Sequence, residues 1–532
     1  MRTLCTCVLA VLLLAVPAAA ANAQVWPREF QGHHQVLPVY VVPWLGLEDL
    51  PTLSDRGAVG LMVTAAGPRT SAAQAFGSLV RGVLHNSRLG LKVKGPVLIR
   101  VRKRNALPTG GPVIVIGLPP TSSIPNVQRY PIALFNRHCH GILVSSLTRV
   151  PGLVSIADVA RTALASDNAL TCRSVGNPVE QLEQLESRIQ VARSSTMGGT
   201  VIVLVMAFLL ALVRPRWVVP AVATALLANL ALGLLGAGDA TMTLVALTLL
   251  SLAGGFAGER LLRRPTLLGA GFVSILLAYL AAMVLAPWSL SLAPLGPELT
   301  ARFFGVSNFL ETLLLLPALV AAVVVGRRVG PLGFALVALL SLGVVAENRL
   351  GADGGGAVVL GVAYAVLAVR LAGGRWRLVV PAVAFAGLLV LGLANLDAAS
   401  STPDHLRGAL TGGLPALGQV LLHRVPLSYA RVLEQWYLVF PACALGLLAV
   451  RAIRAQRDPA RRALDVAFLA AIATSLAFND SPGPVTLGGL AVFLALEPFA
   501  LRRELAPLAR RLPRLAPQPE PVPVTAGSRR RR

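Results

Sequence analysis

From about residue 200 onward, apolar runs of roughly 16–20 residues recur, with arginines at one end and acids or small polar residues at the other. No other feature constrains the fold as much. A run of that length is buried either in lipid or at the centre of a very large core. The chain lacks the polar shell that such a core needs. Of its 532 residues, 14% are charged and 55% hydrophobic, where soluble domains have roughly 25% and 45–50%. The mean hydropathy of +0.69 agrees. The chain is expected to cross a membrane repeatedly.

Charge placement orders the crossings. Arg214 and Arg216, Arg260 and Arg264, Arg327 and Arg328, Arg370 and Arg375, Arg451 and Arg454, and Arg502 and Arg503 close one set of run ends. Asp239, Glu298, Glu347, Asp353, Asp397, Asp404 and Asp480 fall at the other set. Basic residues mark cytoplasmic loops, so the two patterns predict an all-α bundle of about eleven transmembrane helices over residues 196–503 with its C-terminus inside. Several runs are shorter than ~20 residues, which predicts tilt or half-buried ends. Residues 504–532 are rich in Pro and Arg and read as a disordered basic tail on the cytoplasmic lipid surface. The net charge of +24 lies mostly in these flanks. It signals topology and attraction to membrane lipids, and with no recognition motif it argues against a nucleic-acid partner.

Arg2, an apolar stretch over 4–16 and Ala21-Asn22-Ala23 before Gln24 form a secretory signal over residues 1–23, with an uncleaved anchor as the alternative. Either form puts residues 24–195 outside a plasma (inner) membrane. That segment contains no span. β-Branched runs at 39–42, 59–63, 97–101 and 113–116 predict strands, and 70–84 and 155–164 predict helices. Asp158 lies in the first turn of the second helix, where it complements the helix dipole. A polar helix near 179–191 leads to the membrane. The alternation predicts an α/β layered exported domain. Of five cysteines, Cys5 and Cys7 lie in the leader and Cys443 in an apolar run. Cys139 and Cys172 lie in the exported domain. An oxidising compartment predicts a disulfide between them, with two separate buried thiols as the alternative.

The segment Val41-Val42-Pro43-Trp44-Leu45-Gly46-Leu47-Glu48-Asp49, followed by Arg56-Gly57-Ala58-Val59, resembles the opening of the alkaline-phosphatase superfamily. Arg69-Thr70-Ser71-Ala72-Ala73-Gln74 is similar to the nucleophile helix of its phosphodiesterase branch, and residues 149–164 to a closing segment. The resemblance implies that Thr70 or Ser71 stands at the nucleophile position. It also implies two metal ions held by Asp and His. The chain departs from the pattern where those ligands belong: Pro43 and Trp44 end the first strand, and Gly117-Leu118-Pro119-Pro120 follows a later one. The domain therefore reads as a non-catalytic remnant that implies no metal or cofactor. His138-Cys139-His140 does not replace the ligands, because three successive strand residues do not converge on one ion.

Two outer-face stretches carry the remaining polar groups. One places Arg302, Asn308 and Glu311 at the mouth of a span, with Asn308 and Glu311 on one helical face. The other places Glu347, Arg349 and Asp353 before a Gly-rich re-entry at Gly354-Gly355-Gly356. Asp480 sits at the same predicted level. The bland alternative makes Glu347 and Arg349 a surface pair and Asp353 a helix-end charge. Glu311 is different, because an acid inside an apolar span is costly. These stretches resemble a group of polytopic membrane proteins, common in actinobacteria, that join an exported phosphatase-like remnant to a helical bundle. The domain order also resembles that of glycosylphosphatidylinositol ethanolamine-phosphate transferases. Three functions fit these features. One is a cell-envelope protein that handles lipid, lipid-linked glycan or envelope polymer. The second is a transporter or flippase with an intramembrane acidic site. The third is an extracytoplasmic phosphoryl transferase.

Overall fold

The computed structural model describes residues 37–43, 45–67, 69–81, 99–101, 112–135, 140–145, 147–163, 169–236, 238–261, 264–299, 303–346, 354–373, 435–478 and 481–499. Its N-terminal part is an α/β unit on an eight-stranded mixed sheet. The strands are β1 (Val39–Pro43), β2 (Ala58–Val63), β4 (Ile99–Val101), β5 (Val113–Leu118), β7 (Tyr130–Phe135), β8 (Gly141–Ser145), β9 (Leu153–Ser155) and β10 (Leu170–Arg173). Their order is β10-β8-β2-β7-β5-β1-β4, with β9 beside β2. β1 runs parallel to β4 and β5, and β2 parallel to β8 and β9; β7 is antiparallel to both β2 and β5. A separate pair joins β3 (Arg69–Thr70) to β6 (Ile124–Pro125).

The central strands are buried on both faces, as their continuous Val/Ile runs require. On one face Ile114, Ile116, Met62 and Leu143 pack against helices α2 (Ala72–Arg81) and α3 (Ile156–Ala163). On the other, Val42, Leu61 and Val115 pack against α1 (Leu50–Ser54) and the start of α4 (Pro178–Val213). The four strands expected from β-branched runs are present, the one at 97–101 described over Ile99–Val101. β7 to β10 are additions to that reading.

α4 is one unbroken helix of 36 residues, about 54 Å long at 1.5 Å per residue. Leu182, Leu185 and Ile189 seal the sheet, and Val203, Ala207 and Leu210 belong to the helical region. The division drawn at 195 falls inside it. Then follow α5 (Val218–Leu235), α6 (Ala240–Leu261), α7 (Pro265–Leu285) and the short α8 (Trp288–Ser291). After an irregular segment come α9 (Asn308–Val329), α10 (Pro331–Val345), α11 (Gly354–Leu371), α12 (Val439–Ala455), α13 (Pro459–Phe478) and α14 (Pro482–Leu496).

Among the described residues, six helices are long and apolar enough to cross a membrane: α4, α5, α6, α7, α9 and α12. α10, α11 and α14 are apolar but shorter, and α13 carries Arg461, Arg462 and Asp465. The span expected at 378–394 lies outside the described residues. α9 is the hub of the bundle, packed against α7, α10 and α14 and buried over almost all of its first four turns.

Candidate functional site

In open α/β sheets, ligands bind at the carboxyl ends of parallel strands. β1 and β5 end side by side, with Val42 opposite Gly117 and Pro43 opposite Leu118. α2 begins there, its first amide at Ala72 donating to Pro120 O at 2.9 Å. Thr70 and Ser71 therefore stand beside the strand ends, and both are buried. Their hydroxyls already have partners. Thr70 Oγ1 lies 3.1 Å from Thr64 Oγ1, and Ser71 Oγ accepts from the Gln74 amide at 3.4 Å, as a helix cap does. Among the described residues, β1 leads into Leu45-Gly46 and β5 into Pro119-Pro120, so these strand ends themselves bring no carboxylate or imidazole to either hydroxyl. A Cβ on Gly117 would come within 2.9 Å of Leu45 O, so the chain itself closes that edge.

Among the described residues, no three His, Cys, Asp or Glu side chains converge for a metal. His140 is exposed, and His138 and Cys139 lie outside the described residues. Cys172, half-buried on β10, is disulfide-bonded. Asp158 lies in the first turn of α3, as expected, and is wholly buried there. Burial pushes its carboxyl up to about 7, against the hydrogen bond from Ser145, the charge of Arg161 and the Leu147 amide, which lower it.

In the bundle, Asn308 and Glu311 both lie in the first turn of α9. Both are buried, Glu311 at 1% exposure, so its carboxylate faces the interior and not lipid. Both are engaged by partners. Ser307 fixes the start of this helix: its Oγ accepts from the Leu310 amide at 3.1 Å and donates to Leu295 O at 2.6 Å. α14 crosses here through Gly488, whose absent Cβ would lie 3.1 Å from Thr312 Cβ. α9 and α11 flank α10, so the first turns of α9 and α11 share one end of the bundle with the start of α14. Gln435 lies there too, its Oε1 beside Gly483. Arg302, Glu347, Arg349, Asp353 and Asp480 lie outside the described residues.

The opposite end holds a group that the sequence reading passed over. Asp465 in α13 and Glu497 just past α14 are both buried. Arg461 reaches Glu497 at 3.3 Å, and Gln456 Nε2 donates to Glu497 Oε1 at 2.8 Å. Asp465 Oδ2 is buried with no hydrogen-bond partner among the described residues. The signal was the one that singled out Glu311, an acid within an apolar run. α14 ends at Leu496, where the sequence suggested a continuous span over 485–499. No family model, curated protein or solved structure matches this chain.

Proposed function

We propose that the chain is a multi-pass envelope protein of the plasma (inner) membrane. It would bind the anionic headgroup of a lipid or lipid-linked glycan at the outer end of its bundle. The α/β unit is exported, lacks catalysis and docks polymer or partner, and the tail after residue 503 is cytoplasmic. One observation carries the reading: Glu311 is buried where helix starts gather. The positive ends of α9, α11 and α14 favour an anion there, and Arg302 and Arg349 stand in the adjoining stretches of sequence. Glu311 would hold one of those guanidinium groups in place.

The test is complementation. A deletion strain should shift the abundance of one envelope lipid or glycan class, measured by mass spectrometry. Wild-type protein should restore it, and Glu311→Gln, expressed to the same level, should not. Full restoration by Glu311→Gln would refute the site.

A transporter or flippase is the second reading, favoured by buried acids at both ends of one bundle, Glu311 and the Asp465–Glu497 pair. Proton-coupled substrate uptake into proteoliposomes, lost in Glu311→Gln, would select it. Phosphoryl transfer through Thr70 or Ser71 is disfavoured by the empty strand ends. Phosphodiester turnover abolished by Thr70→Ala with Ser71→Ala would reinstate it.

A further inference from the structure

The α/β unit and the bundle meet around three arginines, and two of them face carboxylates. Arg129 makes a two-pronged bond to Glu186, at 2.7 Å and 2.6 Å. Arg193 donates to Asn126 O and lies in the field of Glu298 and Glu186. Arg188 differs from both. Its described partners are Gly233 O at 2.8 Å and the ring of Trp288 at 5.1 Å. Among the described residues, no carboxylate pairs with its guanidinium.

Arg188 lines a shallow cleft, with room for about one water, together with Val191, Leu232, Gly236, Thr243 and Pro294. The cleft lies at the link between α5 and α6, where two adjacent spans turn at one membrane surface. Gly236 has φ +76, and a Cβ there would stand 3.3 Å from Arg188 Nε. Its absence leaves room over the guanidinium. Leu235 and Met242, beside the cleft, are 83% and 63% exposed, as side chains facing acyl chains are. The nearest acid in the link, Asp239, caps α6 by accepting from the Met242 amide at 2.8 Å.

We propose that the mouth of this cleft, at the Arg188 guanidinium, binds the phosphodiester of an anionic phospholipid, its acyl chains lying over Leu235 and Met242. A guanidinium has five N–H donors in a planar fork that matches two phosphate oxygens, and Gly233 O takes one of them. A half-buried cation with no carboxylate among its described neighbours is matched by a phosphate at headgroup level. The site requires a membrane-spanning chain but not the Glu311 site, so either can fail alone.

The experiment uses the full-length protein in detergent, with phosphatidylglycerol, phosphatidylcholine of the same chains, or inorganic phosphate added. Bound lipid is counted by native mass spectrometry and stability followed by thermal melting. Phosphatidylglycerol should be retained in preference to phosphatidylcholine and should raise the melting midpoint, whereas inorganic phosphate should not. Arg188→Gln should weaken phosphatidylglycerol retention about tenfold, the loss of one charge-assisted hydrogen bond. If that variant fails to fold because Gly233 O is left bare, Arg188→Lys serves. It should keep the preference with several-fold weaker retention. Equal retention of the two lipids by the wild type, an unchanged Arg188→Gln, or stabilisation by inorganic phosphate equal to that by phosphatidylglycerol would overturn the proposal.

Discussion

Asp158→Asn isolates a buried acid of the α/β core whose carboxyl is pushed up to about 7. Burial drives its carboxyl from the ordinary 3.8 to about 7, and the Ser145 hydrogen bond, Arg161 and the Leu147 amide only partly oppose this. The folded value lies above the unfolded one, so the folded state binds this proton more tightly. The stabilisation is therefore complete below about pH 3.8 and is lost as pH rises through about 7. At 1.36 kcal/mol per pH unit, the loss reaches ~4 kcal/mol as a ceiling. Asparagine keeps an acceptor for Ser145 and never ionises. Hydrogen exchange on the full-length protein, corrected for intrinsic rates, reads the effect at β8 and α3, which this carboxyl ties together. In the wild type, protection of these segments should fall between about pH 4 and 7. In Asp158→Asn the fall should vanish, leaving the variant better protected above neutrality. A variant with the same pH slope, or a wild type whose protection rises with pH, would refute the reasoning.

Arg129→Met should cost ~3–5 kcal/mol by stranding Glu186, and Arg129→Met with Glu186→Leu should cost less than either alone, as read by proteolytic susceptibility of the α/β unit. Gly488→Val drives a side chain into Thr312 and Phe309, 3.1–3.2 Å from its Cβ, and should lower thermal stability by ~1–3 kcal/mol. Gly343→Ala, with open space at its Cβ, should not lower it. Protease added to intact spheroplasts should remove residues 24–195 and spare a tag at the C-terminus; loss of the tag first would reverse the proposed orientation.

The sequence showed four strands where β-branched residues cluster, though not β8, which also carries Ile142 and Val144, and its apolar helices where composition alone forces burial. It hid β7 because Pro131 sits in that central strand, opposite Leu61, where proline is ordinarily a sign of an edge. It hid the continuity of α4 because a polar stretch at 179–191 and an apolar one further on carry different patterns, and Gly198 and Gly199 lie where they meet. In the structure they are contact glycines: a Cβ on Gly198 would come within 2.8 Å of Leu244, and one on Gly199 within 3.0 Å of Leu295. Close packing is a property of partners distant in sequence, so no local pattern exposes it. Glu311 was legible because one acid in an apolar run stands out on cost alone. Asp465 and Glu497 carry the same signal, but both lie beside arginines that draw attention to topology instead.

The α/β unit is not an appendage on the bundle. Leu292, Leu299 and Phe303, from the segment between α8 and α9, belong to the same buried cluster as Leu61 and Val115 of the sheet. Arg149 adopts φ 54 and lays its guanidinium 4.0 Å over the ring of Phe304. The segment is pinned on the bundle side too. Ser291 Oγ donates to Phe303 O at 2.6 Å, and Asn229 Oδ1 accepts from the Leu295 amide at 2.8 Å. Four residues after Phe303, Ser307 caps α9 and sets the depth of Glu311. The sheet, the segment and the first turn of α9 are thus fixed to one another through close-packed contacts, which transmit displacement rather than absorb it. Removing the α/β unit would expose Leu292, Leu299 and Phe303 and release the cap that positions Glu311. Loss of function on deleting that unit would therefore not locate the binding site within it. Side-chain changes that leave the Phe303–Ser307 link intact, such as Glu311→Gln on one side and Ser71→Ala on the other, separate the two.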